Sequence, residues 1–174
     1  MNIFKPTWMI ETIYDLSPKD LKQHHISAIL TDLDNTLMPW NVLDGSPQLK
    51  KWVDDLHQAG IKIIVVSNNN EERIERAVNG LGIDIISRAL KPTKIGINRA
   101  IKIYHLKKAN TIMIGDQLLT DVLVANRAKI RSVLVKPIVK SDGKATFINR
   151  KLEIIVKHHL NKKYPNLTWK KELN

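Results

Sequence analysis

The stretch Ala28-Ile29-Leu30-Thr31-Asp32-Leu33-Asp34-Asn35-Thr36-Leu37 joins an apolar run to two aspartates that are one residue apart. The apolar part is typical of a buried parallel strand, because neither of its faces is polar. Side chains repeat every two residues along a strand, so Asp32 and Asp34 leave its carboxyl end toward the same side. Like charges this close repel each other, and they persist together where a cation or a chemical task requires them.

A regular alternation of strands and helices continues on both sides of this stretch. Strands are predicted over 26–32, 61–66, 83–86, 111–114 and 132–135. Helices are predicted over 47–57, from 71, from 92, over 118–128 and over 147–160, with an earlier one capped by Ser17 and opened by Pro18. Five strands that alternate with helices imply a parallel sheet with right-handed crossovers.

Length and composition bound the class of protein. The 174 residues suffice to bury a substantial core, and 43% apolar content is ordinary for a soluble globular protein. We expect one domain over 1–174, made of a lead-in (1–25), a core segment with the candidate site (26–136) and a helical tail (137–174). In the lead-in, the apolar spacing from Phe4 to Ile13 predicts a short amphipathic turn or helix.

The charge of the chain restricts its partners more than its length does. With 28 basic and 17 acidic residues the net charge is +11, which attracts phosphorylated metabolites, nucleic acid or an anionic membrane surface. The absence of cysteine excludes disulfides and thiolate chemistry, as suits a reducing cytosol. No apolar run approaches the roughly 20 residues that span a bilayer, and no secretory signal is evident, so we expect a cytoplasmic protein.

Polar side chains follow each of the first four predicted strands of the core at the point where the strand ends. These residues are Asp32 and Asp34, then Ser67 and Asn68, then Lys91, then Asp116 and Asp121. Sites in open α/β sheets form where the carboxyl ends of the strands meet, so we expect these side chains to lie together.

The residue types at these positions favour phosphoryl chemistry. Three carboxylates from different loops, without cysteine, suit a hard cation such as Mg²⁺. The Ser67 hydroxyl, the free N–H groups of the helix that follows it and the positive charge of Lys91 suit a phosphoryl group. Phosphoryl transfer depends mostly on positioning and on neutralising negative charge, and these groups supply both.

In this order, the motifs resemble those of the haloacid dehalogenase (HAD) superfamily of phosphatases, over roughly residues 26–136. The stretches 32–37, 67–69, 91–92, 115–121, 126–127 and 147–150 are further similar to the YqeG family. That family is a subclass IIIA group related to phosphatidylglycerophosphate phosphatases. The resemblance implies a HAD-like Rossmannoid three-layer sandwich around a parallel five-stranded sheet.

The resemblance also implies roles for individual residues. Asp32 would be the nucleophile that forms an aspartyl-phosphate, and Asp34 would act as general acid and then as general base. Mg²⁺ would be held by Asp32, the Asp34 backbone carbonyl and Asp116, with Asp121 as a further ligand or a neighbour of the ligands. Ser67, Asn68 and Lys91 would bind the phosphoryl oxygens, and Thr36 would brace the first motif.

The spacing between motifs predicts that no cap domain covers the site. About 30 residues separate Asp34 from Ser67, and 23 separate Ser67 from Lys91. The predicted elements already fill both gaps. An open site suits a large or membrane-presented phosphorylated substrate, with Trp40 of the loop 38–46 either touching substrate or packing on the domain.

We therefore expect a Mg²⁺-dependent phosphomonoesterase, with phosphatidylglycerophosphate as the specific substrate suggested by the resemblance and by the charge. Such an enzyme would work in the cytoplasm, at the inner face of the membrane. A phosphatase of nucleotides or nucleic-acid ends is an alternative that the same charge favours. A basic module that binds RNA, ribosome or anionic membrane, with vestigial catalysis, is the alternative of another class, and the complete set of motifs argues against it.

Overall fold

The computed structural model of the chain describes residues 2–139 and 147–173, so residues 140–146 of the predicted tail lie outside it. Its sheet has six strands: β1 (Trp8–Ile10), β2 (Ala28–Thr31), β3 (Lys62–Val66), β4 (Asp84–Ile86), β5 (Thr111–Gly115) and β6 (Arg131–Val135). The strand order is β1-β6-β5-β2-β3-β4, and every pairing is parallel. The carboxyl ends of all six strands therefore meet at one edge, with β2 and β5 in the middle.

Helices cover both faces of this sheet. They are α1 (Pro18–Gln23), α2 (Pro47–Gln58), α3 (Glu71–Ala77), α4 (Ile95–Ile103), α5 (Leu123–Ala128) and α6 (Phe147–Lys163). Leu56 of α2 packs in one core cluster with Ile29 of β2, whereas Ile97 of α4 packs in another with Leu30. Because consecutive β2 residues face opposite helical layers, the strand is apolar on both sides. The three-layer α/β sandwich expected from the sequence is confirmed.

The lead-in contributes a strand, and this corrects two predictions. Trp8–Ile10 pairs with β6 in the register Trp8 to Val133, so the sheet has six strands, not five. This strand replaces the amphipathic turn or helix predicted between Phe4 and Ile13. The N–H of Lys170 in turn donates to the carbonyl of Met9 (2.9 Å) on the other side of β1. Three residues are too few for alternation to appear in the sequence, and the partners of β1 lie more than a hundred residues away.

Two helices begin differently from their predictions. The helix predicted from Pro92 begins at Ile95, because residues 90–93 form a turn in which the N–H of Thr93 donates to the carbonyl of Leu90 (2.8 Å). The helix predicted over 118–128 opens with a π-helical turn, Leu118–Val122, before α5. Both departures adjoin Lys91 and Asp121. By contrast, the predicted Ser17 cap of α1 is confirmed, since its side chain accepts from the N–H of Asp20.

The segments between the motifs contain no cap domain. A loop, α2 and β3 occupy the chain from Asp34 to Ser67, and α3 and β4 occupy it from Ser67 to Lys91. The carboxyl edge is therefore reached directly from solvent beside the loop 38–46, in which Trp40 and Leu43 are exposed. Within 2–139 and 147–173, no helix combines the length and apolar character needed to cross a membrane.

Candidate active site

The two central strands bring the first and last motifs together. The N–H of Asp32 donates to the carbonyl of Ile114 in β5 (2.9 Å), so the pairing of β2 with β5 continues into the acidic loop. That loop then turns back on itself, and the N–H of Asn35 donates to the carbonyl of Met38 (2.7 Å). Asp116 follows directly after β5. Carboxylates from both strands thus lie at the same point of the edge, as the sequence predicts.

Three buried carboxylates form a cluster at this point. Oxygens of Asp32, Asp116 and Asp121 lie within 4.8 Å of one another. The hydroxyl of Thr36 donates to Oδ1 of Asp116 (3.4 Å), and the N–H of Gln117 donates to Oδ2 of Asp121 (3.2 Å). An all-oxygen cluster of this kind is a suitable set of ligands for a hard divalent cation.

Lys91 inserts its ammonium group into the carboxylate cluster. Its Nζ lies 2.8 Å from Oδ1 of Asp32 and 2.7 Å from Oδ1 of Asp121, and its side chain is 3% exposed. Burial alone would lower the pKa of Lys91, but Asp121 and Asp32 outweigh burial and raise it. Burial raises the pKa of Asp121 to about 6, against the opposing effect of Lys91. Lys91 thus forms a buried ion-pair network with two of the three carboxylates, Asp32 and Asp121.

The second motif holds the backbone of Lys91 in place. The Asn68 side chain donates to the carbonyl of Lys91 (3.0 Å) and accepts from its N–H (2.7 Å). Ser67 is buried, and its hydroxyl accepts from the N–H of Asn69 (3.3 Å). Asn70 is the N-cap of the seven-residue helix α3, and its side chain accepts from the N–H of Arg73, so one backbone N–H at the start of this helix is already bonded. The predicted phosphate contacts of Ser67 and Asn68 stay predictions. The observed hydrogen bonds show that the Asn68 side chain fixes the backbone of Lys91.

The side chain of Asp34 has its polar partners outside the carboxylate cluster, although Asp34 lies two residues from Asp32. Asp34 accepts from the side-chain amide of Asn69 (2.7 Å) and from the guanidinium of Arg73 (2.9 Å). Burial raises the pKa of Asp34, while Asn69 and Arg73 lower it less strongly. The two aspartates of the first motif therefore have separate environments, one beside the candidate metal position and one beside a cation nearer the surface.

Arg73 is a site residue that the sequence interpretation missed. Its guanidinium bonds to Asp34 and also lies 3.5 Å from the carbonyl of Trp40 and 3.4 Å from that of Leu43. A signal was available, because acidic residues are favoured in the first turn of a helix and Arg73 is a cation in the first turn of α3. A cation in the first turn of a helix is expected to have an acidic side chain nearby, and in the structure that side chain is Asp34.

Gly115 gives a direct test of how tightly the cluster is packed. An added Cβ at this position would lie 2.2 Å from Cγ of Asp121. That carboxylate is fixed by Lys91 and by the N–H of Gln117, so it cannot yield freely. We expect Gly115→Ala to lower the free energy of unfolding by about 1–3 kcal/mol and to weaken divalent-ion binding about 10- to 100-fold, measured by thermal unfolding and by calorimetric Mg²⁺ titration.

Gly80→Ala is the matched control for this substitution. Gly80 has a φ of +72° with open space around its Cβ position, so alanine strains the backbone far from the carboxylates. It should reduce stability while leaving the affinity for Mg²⁺ unchanged. Wild-type metal affinity in Gly115→Ala would show that Asp121 is not held against β5 in the way described.

Comparisons with known proteins agree on one family of folds. A family model described as HAD-hydrolase-like matches residues 89–158. The chain is 42% identical over 150 residues to the probable phosphatase YqeG of Bacillus subtilis (strain 168), covering 86% of this chain and 87% of that protein.

Two solved structures share the fold at low sequence identity. An uncharacterized protein from Listeria monocytogenes serotype 4b has a TM-score of 0.53 at 17% identity, covering 76% of this chain and 99% of the other. The cobalt-bound deoxy-D-mannose-octulosonate 8-phosphate phosphatase (YrbI) of Haemophilus influenzae also has a TM-score of 0.53 at 17% identity, covering 81% and 90%. At such identity the likeness establishes the fold alone.

Proposed function

Because this chain belongs to the YqeG family of phosphatases in the HAD superfamily, we propose that it cleaves phosphomonoesters through a covalent aspartyl-phosphate on Asp32. The observation that carries the proposal is the buried cluster of Asp32, Asp116 and Asp121 with the Lys91 ammonium between two of its members. Carboxylate oxygens within 4.8 Å of one another suit a divalent ion, and the Lys91 ammonium among them suits a phosphoryl group.

The residues of the cluster fit a magnesium ion. Asp32, Asp116 and the backbone carbonyl of Asp34 would hold it. Asp121 would remain beside it, because its two oxygens already accept from Lys91 and from the N–H of Gln117. When bound, the ion supplies positive charge against the phosphoryl oxygens and the attacking carboxylate. Thr36 supports this arrangement through its hydrogen bond to Asp116.

In the proposed reaction, each of these side chains has a different role. A carboxylate oxygen of Asp32 attacks phosphorus, and Lys91 and Ser67 bind the phosphoryl oxygens as the bond to the leaving oxygen breaks. Asp34 gives that oxygen a proton and later takes one from the water that hydrolyses the aspartyl-phosphate. The raised pKa of Asp34 supports the protonated form that the first step requires. Asn68 orients Lys91 through its two backbone bonds.

Phosphatidylglycerophosphate is the substrate we propose. The family likeness suggests it, and three features of this chain support a lipid headgroup presented at a membrane. The carboxyl edge has no cap domain, the net charge is +11, and the adjoining loop exposes Trp40, Val42 and Leu43. Exposed apolar side chains on a protein of positive net charge are suited to the surface of an anionic bilayer. We place the enzyme at the inner face of the membrane, where such a headgroup would reach Asp32.

Phosphate release from a panel of substrates tests the proposal. The panel contains an aryl phosphate, phosphatidylglycerophosphate in mixed micelles, nucleotides and 5′-phosphorylated oligonucleotides, each with Mg²⁺ and with EDTA. We expect Mg²⁺-dependent release, with the highest kcat/KM for the lipid. Preferential release from nucleotides or oligonucleotides would support the nucleic-acid alternative. Salt-sensitive RNA binding without any turnover would overturn the enzyme proposal.

A further inference from the structure

We propose that Arg73 is the residue that determines specificity for the leaving group, and that its guanidinium binds an anionic group carried by that leaving group. The inference rests on the proposed function, in which Asp34 serves the leaving-group oxygen. Arg73 contacts the carboxylate of Asp34 at 2.9 Å, so a ligand of this guanidinium lies on the side of the site from which the leaving group departs.

Two cationic side chains, Lys91 and Arg73, lie at different depths in the site. The Lys91 side chain is 3% exposed and lies between Asp32 and Asp121, where it faces the transferred phosphoryl group. The side chain of Arg73 is 16% exposed, and that of its partner Asp34 is 30% exposed. Arg73 is therefore nearer the surface of the site than Lys91. Lys91 and the metal ion of the proposed mechanism serve the transferred phosphoryl group, so the guanidinium nearer the surface is available to an anion on the leaving group that replaces Asp34 as its partner.

The guanidinium is already oriented for such a ligand. The carbonyls of Trp40 and Leu43 accept from its two terminal nitrogens, and Asp34 accepts from one of these as well. A planar guanidinium presents paired N–H groups that match phosphate and carboxylate oxygens, which an ammonium group does not. A partly exposed ion pair contributes little free energy, so a substrate anion can replace Asp34 as a partner at small cost. That exchange would leave Asp34 free to face the leaving oxygen.

A purely structural role for Arg73 predicts a different outcome. If Arg73 only braced the loop 38–46 against α3, its loss would affect all substrates alike, since every substrate enters beside this loop. A role in recognition predicts an effect confined to substrates that carry the second anion. Two small phosphomonoesters separate these roles: glycerol 3-phosphate, whose leaving group is neutral, and glycerol 1,3-bisphosphate, whose leaving group carries a phosphate.

The experiment compares KM and kcat for both compounds in the wild-type chain, Arg73→Gln, Arg73→Lys and Arg76→Gln. Arg76 lies on the same helix and pairs with Asp44 on the surface, which makes it the matched control. We expect Arg73→Gln to raise KM for the bisphosphate about 10- to 100-fold, as the loss of charge-assisted hydrogen bonds implies. KM for glycerol 3-phosphate should change less than about threefold, and Arg73→Lys should retain only part of the preference.

Each outcome decides the inference. Equal changes in KM for the two compounds in Arg73→Gln, or an equal effect of Arg76→Gln, would overturn it. If the wild-type chain hydrolyses neither compound, the proposed activity fails on these substrates, and calorimetric binding then decides the inference by itself. Tighter binding of the bisphosphate than of glycerol 3-phosphate that disappears in Arg73→Gln would support it. Binding that does not depend on Arg73 would reject it.

Discussion

Asp32→Asn should lower turnover by on the order of 10⁴-fold or more, while the protein remains folded. The amide has nearly the shape of the carboxylate, and it can still receive the Lys91 ammonium through its oxygen. It has no anionic oxygen to attack phosphorus, so no aspartyl-phosphate can form. Steady-state phosphate release with an aryl phosphate measures the loss, and thermal unfolding with and without Mg²⁺ shows that the fold persists.

Asp34→Asn is the informative comparison, because the proposed mechanism assigns the two aspartates to different steps. An aryl leaving group of low pKa departs without a proton, so phosphorylation of Asp32 should proceed in this variant. Hydrolysis of the aspartyl-phosphate still needs a base, and we expect turnover to fall about 10²- to 10⁴-fold. A burst of the phenol product, equal in amount to the enzyme, should appear in Asp34→Asn and be absent in Asp32→Asn. A burst in Asp32→Asn would exclude Asp32 as the nucleophile.

The central fold and the carboxylate cluster could be predicted from sequence because they follow from local patterns. The apolar run before Asp32 predicts a strand buried on both faces, and β2 is that strand. Parallel strands place their carboxyl ends together, so Asp116 after β5 had to approach Asp32 once β2 and β5 were neighbours. No detail of side-chain packing entered that inference. The positions of the polar residues at the strand ends were enough to predict the cluster, and the structure supplies the strand order that makes β2 and β5 neighbours.

The features that the sequence did not predict depend on contacts between distant segments. β1 is a strand only because the edge of β6 offers hydrogen-bond partners, and its own three residues show no strand pattern. Arg73 lies 39 residues from Asp34, and its contact with that carboxylate depends on how α3 packs beside the loop after β2, which no local pattern shows. The π-helical turn at Leu118–Val122 likewise contains Asp121, whose contacts with Lys91 and Gly115 join segments that are distant in sequence from one another.

Lys91→Met should remove most activity and also destabilise the metal-free protein. The substitution leaves Asp32 and Asp121 buried beside Asp116 without the Lys91 ammonium that contacts both of them. Removal of one partner from a buried ion pair costs about 3–5 kcal/mol, and we expect a loss of this size at pH 8. The transferred phosphoryl group also loses the buried ammonium of Lys91, so kcat/KM should fall on the order of 10³-fold. Denaturant unfolding in EDTA and steady-state kinetics in Mg²⁺ measure the two effects.

The pH dependence of stability separates this explanation from a simple packing defect. Burial raises the pKa of Asp121 to about 6 in the folded wild-type chain. The proton on Asp121 therefore stabilises the fold most below the unfolded pKa, near 4, and this contribution is lost as pH rises through the folded value. Lys91 lowers the pKa of Asp121, so its removal should shift that loss to higher pH.

We therefore expect metal-free Lys91→Met to be much less stable at pH 8 than at pH 5, with Mg²⁺ restoring stability at pH 8 as a divalent ion replaces the missing charge. Lys51→Met is the control, because Lys51 pairs with Asp55 on the exposed face of α2 and far from the site. It should change neither the stability nor its pH dependence measurably. A stability loss in Lys91→Met that is the same at both pH values, and insensitive to Mg²⁺, would mean that repulsion among the three carboxylates is not its cause.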